Sequence, residues 1–295
     1  MKLQELLQKK KILVSDGAMG TELAKRGLVA GECSEIWNIE HPDKVLDVYK
    51  SYVNAGSNII LTNTFGGSRL KLKKSGIENK IVEVNSEGVK LAKKAVQGTD
   101  CLVFASMGPT GELIEPLGDI SEQEMNAVFS EQAKILLNAG ADGIVIETMM
   151  SIEEAVCALN SIKKIVSMPV VVSMTYTFNG TDFVTMMGVT LKQAAEQLAK
   201  AGADVIGANC GMGTKNMVQL TKNLRPLTKL PVWIKPNAGL PELVDGKTVY
   251  RETIDEISRS MSEIIDAGAD IVGGCCGFSP EHIKLVSNLV KKENT

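Results

Sequence analysis

The sequence predicts an α/β protein folded as a single (β/α)₈ TIM barrel. Four related segments each join a helix end to a short apolar strand: AGSNIIL (55–61), AGADGIVIE (139–147), AGADVIGAN (201–209) and AGADIVGG (267–274). Glycine closes a helix in the left-handed conformation, and runs of Ile and Val suit strands buried on both faces. Four more apolar runs lie between these segments, at 12–15, 101–106, 169–174 and 231–235. Eight strands alternating with helices predict a closed parallel barrel, and an open doubly wound sheet is the alternative.

Helical segments fill the gaps between the strands, and three of them begin with the pattern of a capping box. The pairs are Ser151 with Glu154, Thr190 with Gln193, and Thr253 with Glu256. In a capping box the two side chains satisfy backbone N–H groups at the start of a helix. Because no linker, low-complexity tract or composition shift interrupts the chain, residues 1–295 are predicted to form one domain.

Composition and charge argue against several functional classes. The net charge is −3 without a basic stripe that would follow a phosphate backbone, so nucleic acid is not an expected partner. The first ten residues are charged and no later segment has 18 uninterrupted apolar residues, which predicts a cytoplasmic protein without a membrane partner. The two histidines, His41 and His282, are expected at exposed helix starts, which leaves few candidates for a histidine base.

The residues after each predicted strand deserve inspection, because the active site of such a barrel lies at the carboxyl ends of its strands. In chain order they are Asp16-Gly17-Ala18, Thr62-Asn63-Thr64, Ser106 to Pro109, Glu147-Thr148, Ser173 to Thr175, Asn209-Cys210-Gly211, Lys235-Pro236-Asn237 and Gly274-Cys275-Cys276-Gly277. Three of the six cysteines therefore lie on this rim.

These three cysteines are predicted to bind zinc. Cys210 and Cys275 follow even-numbered strands, whose side chains share a layer in a barrel, so their thiols can converge. Cys276 can join them only if the backbone leaves strand geometry, which the neighbouring glycines permit. Three thiolates favour zinc and leave a fourth position open for a substrate thiol.

Two other interpretations of the cysteines remain. Vicinal cysteines also occur as small buried residues or as a redox pair. A disulfide framework is not expected in a chain of this length without secretory features. Cys101 and Cys157 are expected in the core, and Cys33 lies in a loop without an assigned role.

Seven motifs resemble the homocysteine-binding domain of cobalamin-dependent methionine synthase and its relatives, the betaine- and S-methylmethionine-homocysteine methyltransferases. They are LVSDGAMGTEL (13–23), ILTNTFG (60–66), GPTGEL (108–113), IET (146–148), GANCG (207–211), KPNAG (235–239) and GGCCGFSPEHI (273–283). The paired NCG and GGCCG motifs are the most specific of these. The resemblance covers nearly the whole chain.

The resemblance implies a role for each matching residue. Cys210, Cys275 and Cys276 would be the zinc ligands. The homocysteine contacts would be Asp16, Gly17, Ala18 and Glu147, with the Glu147 carboxylate facing the substrate ammonium and backbone N–H groups near Gly17 and Ala18 facing its carboxylate. Candidates of lower rank are Thr62, Asn63, Asn209 and then Asn237. Turn formation at strand ends is the alternative role for these polar residues.

The implied activity is zinc-dependent methylation of homocysteine to give methionine. Methylation of a different thiol is an alternative, as is a zinc-binding acceptor module that works only inside a larger complex. A phosphate-binding aldolase or isomerase of the same fold ranks lower, because it would require a Schiff-base lysine or a glycine-rich phosphate loop. Lys235 is the one strand-end lysine that suggests such chemistry.

The methyl donor is predicted from what the chain lacks. A corrinoid-binding D-x-H-x-x-G motif is absent around both histidines and no second barrel for methyltetrahydrofolate follows, so this chain is not expected to bind a corrinoid itself. A separate methylated corrinoid protein is the favoured donor. Betaine or S-methylmethionine is the alternative, and such a cation would benefit from an aromatic cage. The cage candidates are Trp37, Phe65, Tyr176 and Phe178.

The loop at 182–190 also bears on the donor. It reads DFVTMMGVT, which is more apolar than the polar, glycine-rich turn of methionine synthase at this place. The loop is expected at the catalytic end of the barrel, where a methyl donor would approach.

Overall fold

The computed structural model describes residues 3–244 and 247–294. Its main sheet has eight parallel strands: β1 (Leu13–Val14), β2 (Ile59–Leu61), β3 (Leu102–Met107), β4 (Gly143–Met149), β5 (Val170–Met174), β6 (Val205–Gly213), β7 (Val232–Asn237) and β8 (Ile271–Val272). Neighbours in sequence are neighbours in the sheet, and β8 pairs with β1. A parallel bridge between Ser15 and Ile59 brings β1 to β2. The sheet thus closes into the predicted (β/α)₈ barrel, and the open-sheet alternative is wrong.

Helices surround the barrel. They are α1 (Leu3–Lys9), α2 (Met19–Lys25), α3 (Trp37–Glu40), α4 (Pro42–Ala55), α5 (Arg69–Lys74), α6 (Ile81–Ala95), α7 (Glu122–Asn138), α8 (Ile152–Lys163), α9 (Leu191–Lys200), α10 (Thr214–Leu224), α11 (Ile254–Asp266) and α12 (Pro280–Glu293). Two short hairpins extend the loops after β5 and β7, pairing Thr177–Phe178 with Phe183–Val184 and Glu242–Val244 with Lys247–Val249. Within the described residues, no helix combines the length and hydropathy that crossing a membrane requires.

The barrel interior is filled by side chains and leaves no room for a ligand. Every strand contributes at least one residue to this inner cluster, and Leu3 and Leu6 of α1 join it. The rings of Phe104 and Trp233 meet edge to face at 6.1 Å between centroids. Gly143 makes room for them, since a Cβ there would lie 2.6 Å from the Phe104 ring. With the interior packed, any ligand site has to lie at an end of the barrel.

The predicted capping boxes are confirmed for two helices. Thr190 caps α9 and Thr253 caps α11, each with its partner side chain bonded back to the cap. The third prediction is only half right. Ser151 caps α8, but the Glu154 carboxylate accepts hydrogen bonds from the Thr110 N–H and hydroxyl, both at 2.7 Å. Glu154 therefore links the loop after β3 to α8 and does not complete the capping box with Ser151.

Both histidines lie at helix starts, as expected. His41 is exposed and directly precedes α4. His282 is half-buried: it completes a further capping box with Ser279, and its ring packs against Phe278 at 5.5 Å. The expectation of an exposed position was therefore wrong for His282. Burial lowers the pKa of its imidazole, which keeps it neutral in this structural role.

Candidate metal and substrate site

A cavity of about 370 Å³ opens at the carboxyl ends of the strands. The predicted site residues that line it are Asp16, Gly17, Ala18, Thr62, Asn63, Glu147, Cys210, Cys275 and Cys276. Asn209 and Asn237 are buried nearby but do not line it. Larger grooves, of about 460 and 590 Å³, lie between α7 and α8 and between α10 and α11, yet neither gathers residues with predicted chemistry. The strand-end cavity is therefore the candidate site.

Three thiols converge on one side of this cavity. The sulfur atoms of Cys210, Cys275 and Cys276 all lie within 4.8 Å of one another, and those of Cys210 and Cys276 are 4.0 Å apart. Tetrahedral zinc with Zn–S bonds of about 2.3 Å holds its sulfurs about 3.8 Å apart. Within residues 3–244 and 247–294, no other cluster of three metal-binding side chains occurs. The spacing and the donor type both fit a zinc ion.

Adjacent cysteines can reach one point here because the backbone leaves strand geometry. Strand β8 ends at Val272, so Cys275 and Cys276 lie in the turn that follows. The Cys275 N–H donates to the Pro236 carbonyl at 2.7 Å, and the Ala238 N–H donates to the Cys276 carbonyl at 2.9 Å. The chain after β7 thus holds the two-cysteine turn in place.

Two glycines permit this turn by leaving out a side chain. A Cβ at Gly274 would lie 2.0 Å from the Phe278 ring. A Cβ at Gly273 would lie 2.0 Å from the Ser15 hydroxyl oxygen. Both distances are far below van der Waals contact, so the close packing of this turn depends on glycine.

Cys210 owes its orientation to an unusual backbone conformation. Its φ angle is +62°, in the left-handed region, and the register between β6 and β7 shifts around it. Thr148 at the end of β4 has a similar φ of +61°. Non-glycine residues in this region carry strain and cluster at functional sites. The strained conformation aims the Cys210 thiol at the other two cysteines.

Asn209 holds these two strained residues together. Its side-chain oxygen accepts from the Thr148 N–H at 2.9 Å and from the Ser173 hydroxyl at 2.6 Å, while its Nδ2 donates to the Thr148 hydroxyl at 2.7 Å. The same Nδ2 lies 3.8 Å from the Cys275 sulfur. Asn209 was considered as a substrate contact, but these bonds make it a link between β4, β5 and the thiol cluster.

The three thiols resist ionising together in the metal-free chain. The hydrogen bond with Cys210, followed by burial, raises the pKa of Cys275 to about 12. At Cys276 the bond with Cys210 lowers the pKa, but the bond with Cys275 and burial outweigh it and leave the value at about 11. Tyr250, whose ring packs against Gly277, also bonds to Cys276. A bound cation would remove this penalty, because thiolates are the metal-binding form.

Asp16 also lines the cavity and has an unusual environment. Its carboxylate accepts from the Leu61 N–H at 2.7 Å through Oδ2, while Oδ1 is buried without a hydrogen-bond partner among the described residues. Burial raises the pKa of Asp16 to about 7, against the opposing effect of the Lys235 charge. A buried acceptor without a partner is costly, so Oδ1 is suited to a donor brought by a ligand.

Glu147 is held by two neighbours. Its Oε1 accepts from the Ser106 hydroxyl at 2.6 Å, and its Oε2 accepts from the Lys235 ammonium at 2.8 Å. The Lys235 and Glu147 side chains are 6% and 8% exposed. The charges of Glu147 and Asp16 outweigh burial and raise the pKa of Lys235, so its amine stays protonated. A protonated amine is not a nucleophile, which removes the main support for a Schiff-base enzyme.

Sequence reasoning considered Lys235 only as a Schiff-base lysine and did not predict its ion pair, although one signal for that pair was present. Side chains two apart on a strand point the same way. Because Trp233 fills the barrel interior, Lys235 also had to point inward. A buried lysine at a strand end requires an acidic partner, and two acidic residues were already predicted on this rim.

The Ala18 amide is already engaged within the protein, because its N–H donates to the Phe278 carbonyl at 3.0 Å. Ala18 still lines the cavity, so its contact with the substrate stays a prediction. Helix α2 begins immediately afterwards without a side-chain cap, and residues Met19 to Thr21 line the cavity. The uncapped first-turn amides of α2, with Gly17 beside them, are the donors that remain for an anion.

The lower-ranked polar candidates are largely engaged in structure. Thr62 accepts from the Ser106 N–H at 3.1 Å, and its hydroxyl contacts that of Thr64. Asn63 donates to the Ser34 carbonyl at 2.7 Å. Asn237 differs from these, since its Oδ1 is buried and finds no partner within the part of the chain that the structure describes.

Only one of the four aromatic candidates for a cage lines the cavity. Phe65 does so and is 37% exposed. Trp37 and Tyr176 are each 2% exposed and belong to the core, so neither lines the cavity. Phe178 is exposed on the hairpin after β5 but is not in the cavity wall. These four residues thus do not form a cage around the cavity.

The remaining cysteines lie away from the cluster. Cys157 is buried in α8 as expected. Cys101 is half-buried, so its expected core position is only partly correct. Cys33 is also half-buried, and its thiol bonds to the Glu35 carboxylate at 3.2 Å.

The fold and the site together give a closed barrel with a cavity beside three convergent thiols. The model of the homocysteine S-methyltransferase family matches residues 13–290, and the chain belongs to that family.

Two proteins with similar sequences support this membership. Methionine synthase of Mycobacterium leprae is 30% identical over 309 residues, which cover 99% of this chain and 25% of the relative. The chain thus spans about a quarter of the length of that protein. Betaine–homocysteine S-methyltransferase 1 of Bos taurus is 29% identical, with 98% of this chain and 74% of the relative covered.

A solved structure agrees with the fold. The oxidised form of the homocysteine methyltransferase MmuM of Escherichia coli superposes with a TM-score of 0.81 at 25% identity and covers 97% of this chain and 98% of its own. A metallated form of the same protein matches with the same TM-score at 24% identity, with coverage of 97% and 99%.

Proposed function

We propose that this chain, as a single homocysteine-binding barrel domain over residues 1–295, binds one zinc ion through Cys210, Cys275 and Cys276 and methylates the thiol of homocysteine to give methionine. The observation that carries the proposal is the convergence of three sulfurs beside a cavity that also contains an unpartnered carboxylate oxygen of Asp16. The names of the relatives, which include homocysteine S-methyltransferases, point to the same acceptor.

The donor set favours zinc on chemical grounds. Soft thiolates select zinc over magnesium and calcium, which prefer oxygen ligands. Three protein ligands leave the open position that a catalytic site requires. When bound, zinc would keep a substrate thiol in its ionised, nucleophilic form without a histidine base.

The other residues orient the substrate. The carboxylates of Asp16 and Glu147 accept hydrogen bonds from the substrate ammonium, and the first-turn amides of α2 donate to its carboxylate. The substrate sulfur then attacks the methyl carbon in line, so that the new S–C bond forms as the bond to the donor breaks. Fixing the amino acid at one end of the cavity places the sulfur at the other, which contributes to rate by orientation.

For the methyl donor we favour a methylated corrinoid protein over a small cation. The loops after β2, β3, β5 and β7 expose large apolar side chains around the cavity end of the barrel: Phe65, Leu113, Leu117, Phe178, Met186, Met187, Leu240, Leu243 and Val244, each at least 36% exposed. Exposed apolar surface of this kind is typical of a contact with another protein. A cationic donor would instead benefit from an aromatic cage, and Trp37 and Tyr176 are buried.

The decisive experiment compares four donors with the purified chain: methylcobalamin, a methylated corrinoid protein, S-methylmethionine and betaine. Methionine is measured by mass spectrometry, and bound zinc by elemental analysis. We expect one zinc per chain and turnover with the corrinoid donors. Turnover with betaine or S-methylmethionine alone would replace the proposed donor but keep the zinc–thiol chemistry. Homocysteine binding without turnover from any donor would favour the non-catalytic acceptor module.

A further inference from the structure

A lysine at the floor of the cavity spans the barrel mouth from β7 to β4. The Lys235 ammonium lies 2.8 Å from Oε2 of Glu147, and both side chains are almost fully buried. The charges of Asp16 and of the Cys275 thiolate also raise the pKa of Lys235. Among the residues that the structure describes, Lys235 is thus the one cationic side chain lining this cavity, which also contains two carboxylates and three thiols.

Burial makes this cation important for Glu147. A buried charged group is costly unless an opposite charge and hydrogen bonds compensate for the lost water. Lys235 supplies that opposite charge at 2.8 Å from Glu147 Oε2, where both side chains are almost fully buried.

The pair also fixes the direction of Glu147. Ser106 donates a hydrogen bond to one carboxylate oxygen and Lys235 donates to the other, so the carboxylate group is held in one orientation. A carboxylate can accept about four hydrogen bonds, and two sites are therefore left. Because Glu147 lines the cavity, these remaining sites are available to a ligand there.

We propose that Lys235 is a positioning residue for recognition of the substrate ammonium: it holds the Glu147 carboxylate oriented toward the cavity. The inference rests on the proposed function, because it assumes an acceptor thiol that carries an amino group. Lys235 acts through Glu147 and does not bind the substrate itself. Removing Lys235 should therefore cost the enzyme its preference for thiols with an amine.

The test measures thiol binding in the cobalt-substituted protein, where a thiolate that binds the metal changes its absorption spectrum. The two ligands are homocysteine and 4-mercaptobutanoate, which lacks the amine but keeps the carboxylate. The variants are Lys235→Met, Glu147→Gln and the double variant with both changes. Lys163→Met is the matched control, since Lys163 forms an ion pair with Asp204 on the outside of the barrel.

We expect Lys235→Met to weaken homocysteine binding about ten- to a hundred-fold, the range for loss of a hydrogen bond to a charged group. Binding of 4-mercaptobutanoate should stay within about two-fold of wild type, as should both ligands with Lys163→Met. The double variant should bind homocysteine no more weakly than Glu147→Gln alone, because the carboxylate that Lys235 orients is already absent there.

Other outcomes overturn the inference. Equal weakening of both ligands by Lys235→Met would mean that Lys235 contacts the substrate carboxylate or supports the site as a whole. Unchanged homocysteine binding would mean that Glu147 needs no such partner. If Lys235→Met fails to fold, the double variant is used instead, because neither member of the ion pair remains in it. Its homocysteine binding is compared with that of Glu147→Gln, and a further loss of binding contradicts the proposal. A wild-type protein that does not prefer homocysteine would overturn the proposed function together with this inference.

Discussion

Replacing Asp16 with Asn is expected to remove a strong pH dependence of stability. The Asp16 side chain is 2% exposed, and burial raises its pKa from 3.8 to about 7. Between these two values the folded chain keeps a proton on Asp16 that the unfolded chain has lost. Stability falls with rising pH wherever the folded state binds more protons, so this carboxyl group stabilises least above pH 7.

The size of the effect follows from the pKa difference. Each pKa unit corresponds to about 1.4 kcal/mol, and about three units separate the folded and unfolded states. The full cost of ionising Asp16 is therefore about 4 kcal/mol, of which about 3 kcal/mol develops between pH 5 and 8.5. Asn keeps an oxygen for the Leu61 N–H but carries no charge, so the variant does not incur this cost.

The assay is urea unfolding of the wild-type and Asp16→Asn proteins, both zinc-loaded, at several pH values from 5 to 8.5. The metal contributes equally to both, so the difference in free energy of unfolding isolates residue 16. We expect the variant to gain stability relative to wild type as the pH rises, with the gain levelling off above about pH 8. A difference that stays flat with pH would refute the reasoning and show that Asp16 is ionised throughout.

The remaining predictions concern the metal, the turn that holds it and the rim. Cys276→Ser should lose zinc and activity while its far-ultraviolet circular dichroism stays unchanged, whereas Cys157→Ala should keep its zinc and its activity. Full zinc content in Cys276→Ser would contradict the three-thiolate site. Gly274→Ala should also lose zinc, as measured by elemental analysis, because its methyl group would lie 2.0 Å from the Phe278 ring. Met186→Asp should raise the KM for a methylated corrinoid protein by about ten-fold and leave that for free methylcobalamin unchanged, since Met186 is 74% exposed on the rim. Equal effects on the two donors would argue against protein docking there.

Much of the fold could be predicted because its signals are local. Each AGAD-type segment contains a helix end and a strand within ten residues, and such units repeat around a barrel. The three cysteines could be placed on one rim because strand ends in a barrel share a face. Neither step required knowledge of which side chains touch.

What could not be predicted depends on contacts across the barrel. The ion pair of Lys235 with Glu147 joins residues 88 positions apart, and the strand pattern shows that Lys235 points inward but not which acidic residue it meets. The hydrogen bond from the Ala18 N–H to the Phe278 carbonyl is likewise a contact between distant parts of the chain. Trp37 and Tyr176 were candidates for a cage around the donor, but tertiary packing buries them. Sequence periodicity shows where a strand ends but not what occupies the space beyond it.

The order of the site residues along the chain divides the barrel into two functional halves. The ends of β1 and β4 provide Asp16 and Glu147, the proposed contacts of the amino acid, whereas the ends of β6 and β8 provide the cysteines. Chimeric barrels that exchange only the first half would then alter which thiol is accepted while they inherit the metal centre intact. Lys235 is the exception, because it belongs to the metal half but serves the other. Any such recombination, natural or engineered, has to carry residues 147 and 235 together.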